Sequence, residues 1–555
     1  MRGGVSACGV PPVGRVVVCA LWCLFCIACN RILGIEPPVA STCEDAGCAP
    51  VADKRSRCIE GGMRCVARTL ERCSAQGSYQ VERTCPYVCE SGSCVGRCAP
   101  QQERCFGAQY QRCDSHGVWY TEDGCSARCG GSDCESQVWL GSARRVRGTE
   151  GRPGDRFGQG LALSGSDGLI AAPGAGAGVV HHIEVEAGRW STTDEVISGA
   201  DLGVWAFGRR VAIGERWVVV GAQLGAQAPS PDVSASATSD GAVFAYLRAG
   251  DAGTAPQQLV PKTHPAGPGW GYALALAGNW LAISRVPNWV DPLQDAEGAG
   301  SVDVFTQLAG RWEWRGELTA DRETAGDAFG YSIAMDGEWL AVGAPGDDSG
   351  ATAVNGARDG APAVDSGAVY MFRRLNERFE LVAYIKAHNT DRHDHFGHSV
   401  ALQGELLIVG APLEDSVARG VHSEGDNNDS RDSGATYVYQ RDDDGWRIHA
   451  YLKQDNAGSG YRFGSAVATS GGRIAVGAPQ RGSDEGGAYL FVPHGSAFRQ
   501  SAFVEAATRR PRASFGGALE LSAGWLLVGA SGASGEVSED GTSAGAAYAF
   551  PILTP

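Results

Sequence analysis

The sequence predicts an all-β protein: a seven-bladed β-propeller preceded by small disulfide-rich modules. Three observations support this prediction. After residue 136, an aromatic-Gly pair, a short alternating run, a turn and an apolar run recur seven times. All 19 cysteines lie between Cys8 and Cys134. The 79 glycines among 555 residues are roughly twice the usual share, which suits a fold of tight turns and closely packed strands.

The N-terminus has the pattern of an export signal. Residues 16–28 are uncharged and mostly apolar, but they are too few to cross a bilayer as a helix, so residues 1–28 are predicted to be a signal peptide. The segment ends in Ala followed by Cys29, which resembles a bacterial lipoprotein signal. That resemblance implies lipidation of Cys29, a linker over 29–42 and, from Asn30, sorting to the outer membrane. Simple secretion is the alternative.

Two cysteine-rich modules are predicted over 58–97 and 98–136, after a short segment 43–57 that holds one further cysteine pair. Six cysteines of the first module recur 40 residues later, as a tandem duplication would place them. Forty residues bury little core, so disulfides rather than zinc are expected in an oxidising compartment, with 15 pairings open per module. The predicted disulfide cysteines are Cys43, Cys48, Cys58, Cys65, Cys73, Cys85, Cys89, Cys94, Cys98, Cys105, Cys113, Cys125, Cys129 and Cys134.

The propeller is predicted over 137–555, and its repeat has two elements at a constant spacing. The first elements are Phe157-Gly158, Phe207-Gly208, Trp270-Gly271, Phe329-Gly330, Phe396-Gly397, Phe463-Gly464 and Phe515-Gly516. The second elements, 14 residues after each aromatic, are Gly-Ala-Pro or related tripeptides such as Gly410-Ala411-Pro412. These paired elements resemble the FG-GAP repeat of integrin α chains. The resemblance implies a propeller and a binding role.

Each repeat is expected to form four short strands, because runs of alternating and apolar residues are separated by turn residues. The seventh copy lacks a fourth strand, and the unpaired segment 137–147 before the first copy is predicted to supply it. Such pairing of the two ends removes an exposed sheet edge. Trp217, Trp280, Trp339 and Trp525, each ten residues after the aromatic, are predicted to pack between blades.

Calcium is the candidate cofactor, because the residues from 137 onward carry the whole net charge of -16 and the insertions of copies four and five are rich in carboxylates. Integrin-type repeats often carry Asp-x-Asp-x-Asp-Gly loops there. The nearest approach in this chain places the ligands at Asp426, Asn428 and Asp432, with Arg431 where the motif has Gly. A solvated polar loop is the alternative.

Four histidines, His388, His393, His395 and His398, surround Phe396. They are interpreted as a chance cluster in contact with solvent, with metal binding as the alternative.

Asp155, Asp327 and Asp394 stand two residues before an aromatic and are interpreted as turn-stabilising carboxylates rather than catalytic groups.

These features together predict a cell-surface or outer-membrane lipoprotein, expected to be monomeric, whose propeller binds an unknown surface protein or glycan. The acidic balance argues against nucleic acid as a partner, and the membrane is reached through the N-terminal lipid. No catalytic residue is assigned. The alternatives are an extracellular hydrolase or lyase, which would need paired carboxylates or histidines at inner positions, and a purely structural envelope protein.

Overall fold

The computed structural model describes residues 63–66, 69–74, 78–84, 88–90, 93–95, 103–106, 109–113, 119–122, 139–140, 144–146 and 154–553, the last range with gaps at 166, 187–188, 225–239, 249–254, 268, 287–297, 359, 422–424, 426, 496, 507–511, 523 and 533–543. The predicted signal peptide, Cys29 and the linker lie outside these residues. Within the described part of the chain, no helix is long and apolar enough to cross a membrane.

Short antiparallel strands make up the described part of the cysteine-rich region. They are β1 (Met63–Val66), β2 (Thr69–Cys73), β3 (Tyr79–Thr84), β4 (Val88–Glu90), β5 (Ser93–Val95), β6 (Glu103–Phe106), β7 (Gln109–Cys113) and β8 (Trp119–Glu122). Strands β1-β2-β3 form one sheet and β6-β7-β8 form another, and the second set begins 40 residues after the first. Leu70 and Cys73 are buried in the first sheet, and Arg72 forms an exposed ion pair with Glu82.

The propeller consists of seven antiparallel sheets, and in six of them the strands pair in chain order. Blade 1 is β11 (Gly160–Ser164), β12 (Asp167–Ala172), β13 (Val179–Glu186) and β14 (Arg189–Ser198). Blade 2 is β15 (Val204–Ile213), β16 (Trp217–Leu224), β17 (Gly241–Leu247) and β18 (Gln257–Leu259). Blade 3 is β19 (Trp270–Ala277), β20 (Trp280–Arg285), β21 (Ser301–Leu308) and β22 (Arg311–Leu318).

The remaining blades follow the same plan. Blade 4 is β23 (Ser332–Asp336), β24 (Trp339–Ala344), β25 (Ala368–Leu375) and β26 (Arg378–Ile385). Blade 5 is β27 (Ser399–Gln403), β28 (Leu406–Ala411), β29 (Ala435–Asp442) and β30 (Gly445–Leu452). Blade 6 is β31 (Ala466–Ser470), β32 (Arg473–Gly477), β33 (Ala488–His494) and β34 (Ala497–Val504), with a four-residue helix α1 (Arg481–Asp484) between β32 and β33.

Blade 7 closes the ring with strands from both ends of the propeller sequence. Strands β35 (Ala518–Leu521), β36 (Trp525–Ala530) and β37 (Ala546–Leu553) come from the last repeat, whereas β9 (Trp139–Leu140) and β10 (Arg144–Val146) precede the first. Arg144 pairs with Ala549 and Leu140 with Ile552, both antiparallel. The prediction that 137–147 supplies the missing strand is therefore confirmed.

The hydrophobic core is divided into layers between neighbouring blades. Seven clusters of buried side chains each draw on two adjacent sheets in the described part of the chain. The layer between blades 7 and 1, for example, contains Leu527 together with Phe157 and Ile170. Because each blade is covered on both faces by its neighbours, apolar burial stabilises the closed ring without covalent links.

A ladder of aromatic contacts joins successive blades near their outer edges. Trp339 at the start of β24 packs edge-on against Trp446 in β30 of the next blade, with ring centroids 5.8 Å apart. Trp217, Trp280 and Trp525 make the equivalent contacts with Trp312, Phe379 and Trp190. The prediction that these tryptophans pack between blades is confirmed, and edge-to-face pairs of this kind add about 0.5–1.5 kcal/mol each.

Candidate functional site

The aromatic-Gly element and the Gly-Ala-Pro element meet at the seams between blades. The N–H of Gly464 donates to the carbonyl of Gly477 in its own blade. Its φ of 91° lies in the left-handed region, and a Cβ on Gly464 would lie 2.3 Å from the carbonyl oxygen of Ala435 in blade 5. On the other side of the same seam, a Cβ on Gly410 would lie 2.0 Å from the carbonyl oxygen of Gly464. Both elements thus need glycine because two backbones touch there.

The long insertions lie at one end of the propeller, which we call the insertion face. It carries the loops between the second and third strands and the connections between blades, because antiparallel strands in chain order place both sets at the same end. In blades 4 and 5 the inner loops comprise residues 345–367 and 412–434. Loops on a rigid scaffold are where binding residues usually occur.

A buried lysine closes the insertion of blade 5. Lys453, which follows β30, is fully buried, and its Nζ donates to Glu414 Oε2 over 2.6 Å and to Ser433 Oγ over 2.7 Å. Tyr451 donates its hydroxyl to Glu414 Oε1 over 2.7 Å. Glu414 begins the loop and Ser433 ends it, so the lysine ties both ends of the insertion to the outermost strand of the blade.

Blade 4 repeats this arrangement 67 residues earlier. Lys386 is 1% exposed and donates to Ser366 Oγ over 2.7 Å, with Asp347 Oδ1 at 3.5 Å. Asp347 also accepts hydrogen bonds from the hydroxyls of Tyr370 and Tyr384. Burial lowers the pKa of Lys386 to about 8, against the opposing attraction of Asp347. A positive charge supplied by the chain itself therefore occupies the centre of both insertions.

The first strands of all seven blades enclose a central cavity of about 300 Å³. Its polar lining includes Gln159, Arg210, Tyr331, His398 and Glu520, contributed by blades 1, 2, 4, 5 and 7. Gln159, Tyr331 and His398 stand immediately before their strands. Arg210 lies where the pairing of β15 with β16 resumes after a register shift, opposite Gly221, so all four residues are toward the insertion face. A concave site with a few convergent polar groups is the usual form of a small binding site.

A continuous row of aromatic and basic groups joins the cavity-lining His398, Tyr331 and Arg210 to Tyr272 and Arg209. The Tyr331 hydroxyl and His398 Nε2 are 3.1 Å apart, and the Tyr331 ring lies 5.3 Å from the Tyr272 ring. The guanidinium carbons of Arg209 and Arg210 lie 5.8 and 5.4 Å from the centre of the Tyr272 ring. Burial and then the neighbouring charge of Arg210 lower the pKa of Arg209 to about 10, so Arg209 stays charged at neutral pH.

The two titratable groups on the opposite side of the cavity are uncharged near neutral pH. Burial, followed by His395 and nearby arginines, lowers the pKa of His398 to about 3. Burial alone raises the pKa of Glu520 to about 8. The net charge of the cavity is therefore positive, in contrast to the acidic propeller around it.

A family model described as FG-GAP repeat matches residues 312–372, 379–439 and 446–491. The chain contains FG-GAP repeats. These three repeats are part of the all-β, seven-bladed propeller described above. No curated protein matches the chain.

The FG-GAP unit is offset from the structural blade by one strand. Each match begins in the last strand of one blade, β22, β26 or β30, and ends in the third strand of the next, β25, β29 or β33. A chain built from whole units therefore begins with an outermost strand and ends without one. This offset explains why blade 7 takes β9 and β10 from the start of the propeller sequence.

The predicted calcium ligands are only partly described. Asp426 lies outside the described residues. The Asn428 amide donates to Asp391, and the Asp432 backbone N–H donates to Asp415 Oδ1 over 2.6 Å. Arg431 lies beside Asp432, with 3.8 Å between Nε and Oδ2. Calcium at this loop stays a prediction.

A different group in blade 1 has the spacing of a metal site. One ligand atom from each of Asp167, His182 and Glu184 lies within 4.8 Å of the others. Among the described residues, this is the only group of three such side chains with that spacing. Arg248, however, donates directly to Asp167. The carboxylate is thus already neutralised by a guanidinium, and we assign no metal to the group.

The histidine cluster near Phe396 does not share one environment, so its interpretation as a solvent-exposed cluster is wrong in part. His388 is exposed, and His393 is paired with Asp365 over 3.2 Å. Burial lowers the pKa of His395 to about 4, and His398 lines the central cavity. The connection between blades 4 and 5 runs from the rim into the channel, and this separates the four side chains.

The turn role predicted for two of the three aspartates is confirmed. Asp327 Oδ2 accepts a hydrogen bond from the Thr324 N–H over 3.2 Å, and Asp394 Oδ2 accepts one from the Asp391 N–H over 3.1 Å. Burial raises the pKa of Asp327 to about 7 and that of Asp394 to about 8, and the nearby carboxylate of each insertion adds to both shifts.

The cysteine predictions fall mostly outside what the structure describes. Cys73 is buried and disulfide-bonded, and the strand register sets Cys89 opposite Cys94. The backbone is described at Cys65, Cys105 and Cys113. Cys43, Cys48, Cys58, Cys85, Cys98, Cys125, Cys129 and Cys134 lie outside the described residues. The pairing scheme stays a prediction.

Sequence reasoning missed the buried lysines and the channel arginines. A signal for the lysines was present, since Lys386 and Lys453 stand 57 residues after their aromatic residues, just as Asp347 and Glu414 share an offset of 18. The same comparison gives no signal for Arg210, because the equivalent position in the other repeats carries Gly, Ala or Ser.

Replacing Asp394 by Asn is expected to flatten the pH dependence of stability. A carboxyl whose pKa is raised in the folded state contributes stability below its unfolded pKa of about 4 and loses it as pH rises toward 8. Asn keeps an oxygen acceptor for the Asp391 N–H and does not titrate. Relative to the wild type, the variant should gain roughly 2 kcal/mol or more between pH 5 and pH 8, measured by urea unfolding. Asp443→Asn, at an exposed turn, is the control, and parallel curves for wild type and Asp394→Asn would contradict the assignment.

Proposed function

We propose that this FG-GAP propeller is a binding platform for a surface protein or glycan, and that the insertion face is the binding face. An FG-GAP propeller suggests an interaction platform in general. The observation that supports the specific face is the internal closure of the two long insertions. Because Lys386 and Lys453 fix the ends of each loop, the residues between them are presented from a rigid base, which lowers the entropic cost of binding.

We further propose that the chain is exported and held at the outer membrane or cell surface by lipid on Cys29, that it acts as a monomer without nucleic acid, and that it is not an enzyme. The sequence argument for the anchor is the short apolar segment before Cys29. Fractionation of a Cys29→Ala variant, compared with wild type, tests the anchor: continued sedimentation with membranes would count against it.

A hydrolase or lyase is the second candidate, and Glu520 is the observation that favours it. A carboxyl with a pKa raised to about 8 is suited to donating a proton. Glu520 and His398, however, come from blades 7 and 5, which are not neighbours in the ring, whereas hydrolysis or elimination needs two groups acting together on one substrate. We therefore prefer binding to catalysis as the role of the cavity, because binding does not need two groups to act on the same bond.

Shortening both insertions should abolish capture of the partner. We would replace the residues between Ser349 and Ser366 and between Ser416 and Ser433 by Gly-Ser links, which keep the lysine contacts. The full chain would then be used to capture partners from envelope and extracellular extracts, followed by mass spectrometry. Partners held by the wild type and lost from the shortened chain support the proposal.

The control alters the opposite face. Asp443→Asn/Asp444→Asn changes an exposed turn at the other end of blade 5 and should leave capture intact. Unfolding midpoints of all variants separate loss of binding from loss of fold. Full capture by the shortened chain would refute the insertion face as the binding face.

A further inference from the structure

We propose that the insertion-face end of the central cavity binds a carboxylate side chain of an acidic peptide segment, with Arg210 as its charge partner. This inference rests on the proposed binding function and names the chemistry of the ligand. It is carried by three independent observations: a guanidinium in a cavity, the occupied faces of the aromatic rings and the local sign of charge.

The first observation is the state of Arg210. Its guanidinium lines the cavity and donates over 3.1 Å to the carbonyl of Arg209, and no ion pair joins it to a carboxylate among the described residues. The adjacent Arg209 and Arg210 place two cations against one ring, that of Tyr272. Guanidinium groups bind carboxylates through paired, charge-assisted hydrogen bonds, and this site has donors left for such a pair.

The second observation is the shape of the aromatic lining. One face of Tyr272 is approached by the arginines, and Tyr331 packs between Tyr272 and His398 at 5.3 and 4.8 Å. The rings therefore cover one another and leave little open face for a sugar ring to stack on. A cavity of about 300 Å³ accommodates a slender stem that ends in a carboxylate, such as a Glu side chain, beside the Tyr331 hydroxyl.

The third observation is the local charge. The chain carries a net charge of -16, yet Glu520 is the only carboxyl among the residues that line the cavity. Burial alone accounts for the raised pKa of Glu520, with no contribution from Arg209 or Arg210, so it is not their partner. The positive pocket attracts an anion at short range, whereas the acidic surface around it repels further negative charge. This combination favours a peptide with isolated acidic residues over a polyanion.

The test is calorimetric titration of the purified full chain with the tetrapeptide acetyl-Gly-Glu-Gly-Gly-amide. The wild type should bind it, Arg210→Gln should bind it at least tenfold more weakly, and the exposed control Arg216→Gln should bind within twofold of wild type. Tyr331→Phe keeps the ring and removes the hydroxyl, so a smaller loss is expected. Replacing Glu in the peptide by Gln should abolish binding.

Three results would overturn the inference. These are absence of binding to the wild type, equal binding by Arg210→Gln, and tighter binding of galacturonate than of the peptide, which would assign the cavity to an acidic sugar. Near-ultraviolet circular dichroism checks that the variants fold. If Arg210→Gln retains partner capture from extracts while the shortened insertions lose it, the platform stands and the cavity assignment fails.

Discussion

Gly464→Ala should lower the free energy of unfolding by about 4 kcal/mol or more, or prevent folding altogether. The methyl group would lie 2.3 Å from the carbonyl oxygen of Ala435 and 3.2 Å from the backbone N of Ala411, neither of which belongs to a flexible side chain. The φ of 91° adds strain for any L residue. Blades 5 and 6 would have to separate, and a shift at one seam is transmitted around a closed ring. Urea unfolding followed by tryptophan fluorescence measures the effect.

Gly404→Ala is the matched control, because it introduces a side chain at a left-handed residue without a steric clash and so measures the cost of the backbone strain alone. Gly404 also has a positive φ, 57°, but a Cβ there meets nothing within 4 Å. Its replacement should cost about 1 kcal/mol, which is the usual penalty for a left-handed residue with a side chain. Equal losses for the two variants would show that conformational strain, and not contact between blades, explains the glycine of the FG element.

Lys453→Met should destabilise the propeller by about 3–5 kcal/mol, because it leaves Glu414 buried without a counter-charge. Glu414 is 2% exposed and Lys453 is fully buried, and their charged atoms are 2.6 Å apart. Ser433 loses its partner at the same time, so the insertion is released at both ends. Thermal unfolding and limited proteolysis within 412–434 measure the global and local effects.

The double variant Glu414→Gln/Lys453→Met distinguishes an uncompensated charge from lost packing. It removes both charges and should recover more than half of the stability that Lys453→Met loses. Arg373→Met breaks the exposed pair of Arg373 with Glu338 and should cost less than about 1 kcal/mol. A double variant as unstable as Lys453→Met would mean that the lysine stem, rather than its charge, fills the site.

Local pattern was sufficient to predict the propeller, because its units are short and repeat. Strands β23 and β24 follow directly from the alternation of Ser332–Asp336 and the apolar run that begins at Trp339. The contact of Trp339 with the next blade could also be predicted, since a large apolar residue at a fixed position in several repeats must be buried by something common to them. Because the last repeat supplies only three strands, the fourth strand of blade 7 had to come from another part of the chain.

The candidate sites were less predictable, because they depend on contacts between distant residues. The sequence of the insertions resembles that of acidic calcium-binding loops, whereas the cation between their ends is a lysine that follows the outermost strand of the same blade. His398 was grouped with its neighbours in sequence, although its contact is Tyr331, 67 residues away. Nearness in sequence does not predict nearness in space here, because the chain passes within a few residues from an exposed loop of the insertion face into the central cavity.

The sequence by itself determined that the chain has seven repeated β units, a separate cysteine-rich region and a displaced strand that closes the ring. These features depend on periodicity and composition, which are local properties. Only the tertiary structure decided which side chains share a site. Lys453 contacts Glu414 because β30 ends where the insertion begins, and Arg210 lines one cavity with Tyr331 and His398 because their blades converge on one axis. The contact of Lys453 follows from strand pairing within one blade, whereas the cavity follows from ring closure, because residues of different repeats come together only when the seven blades surround one axis.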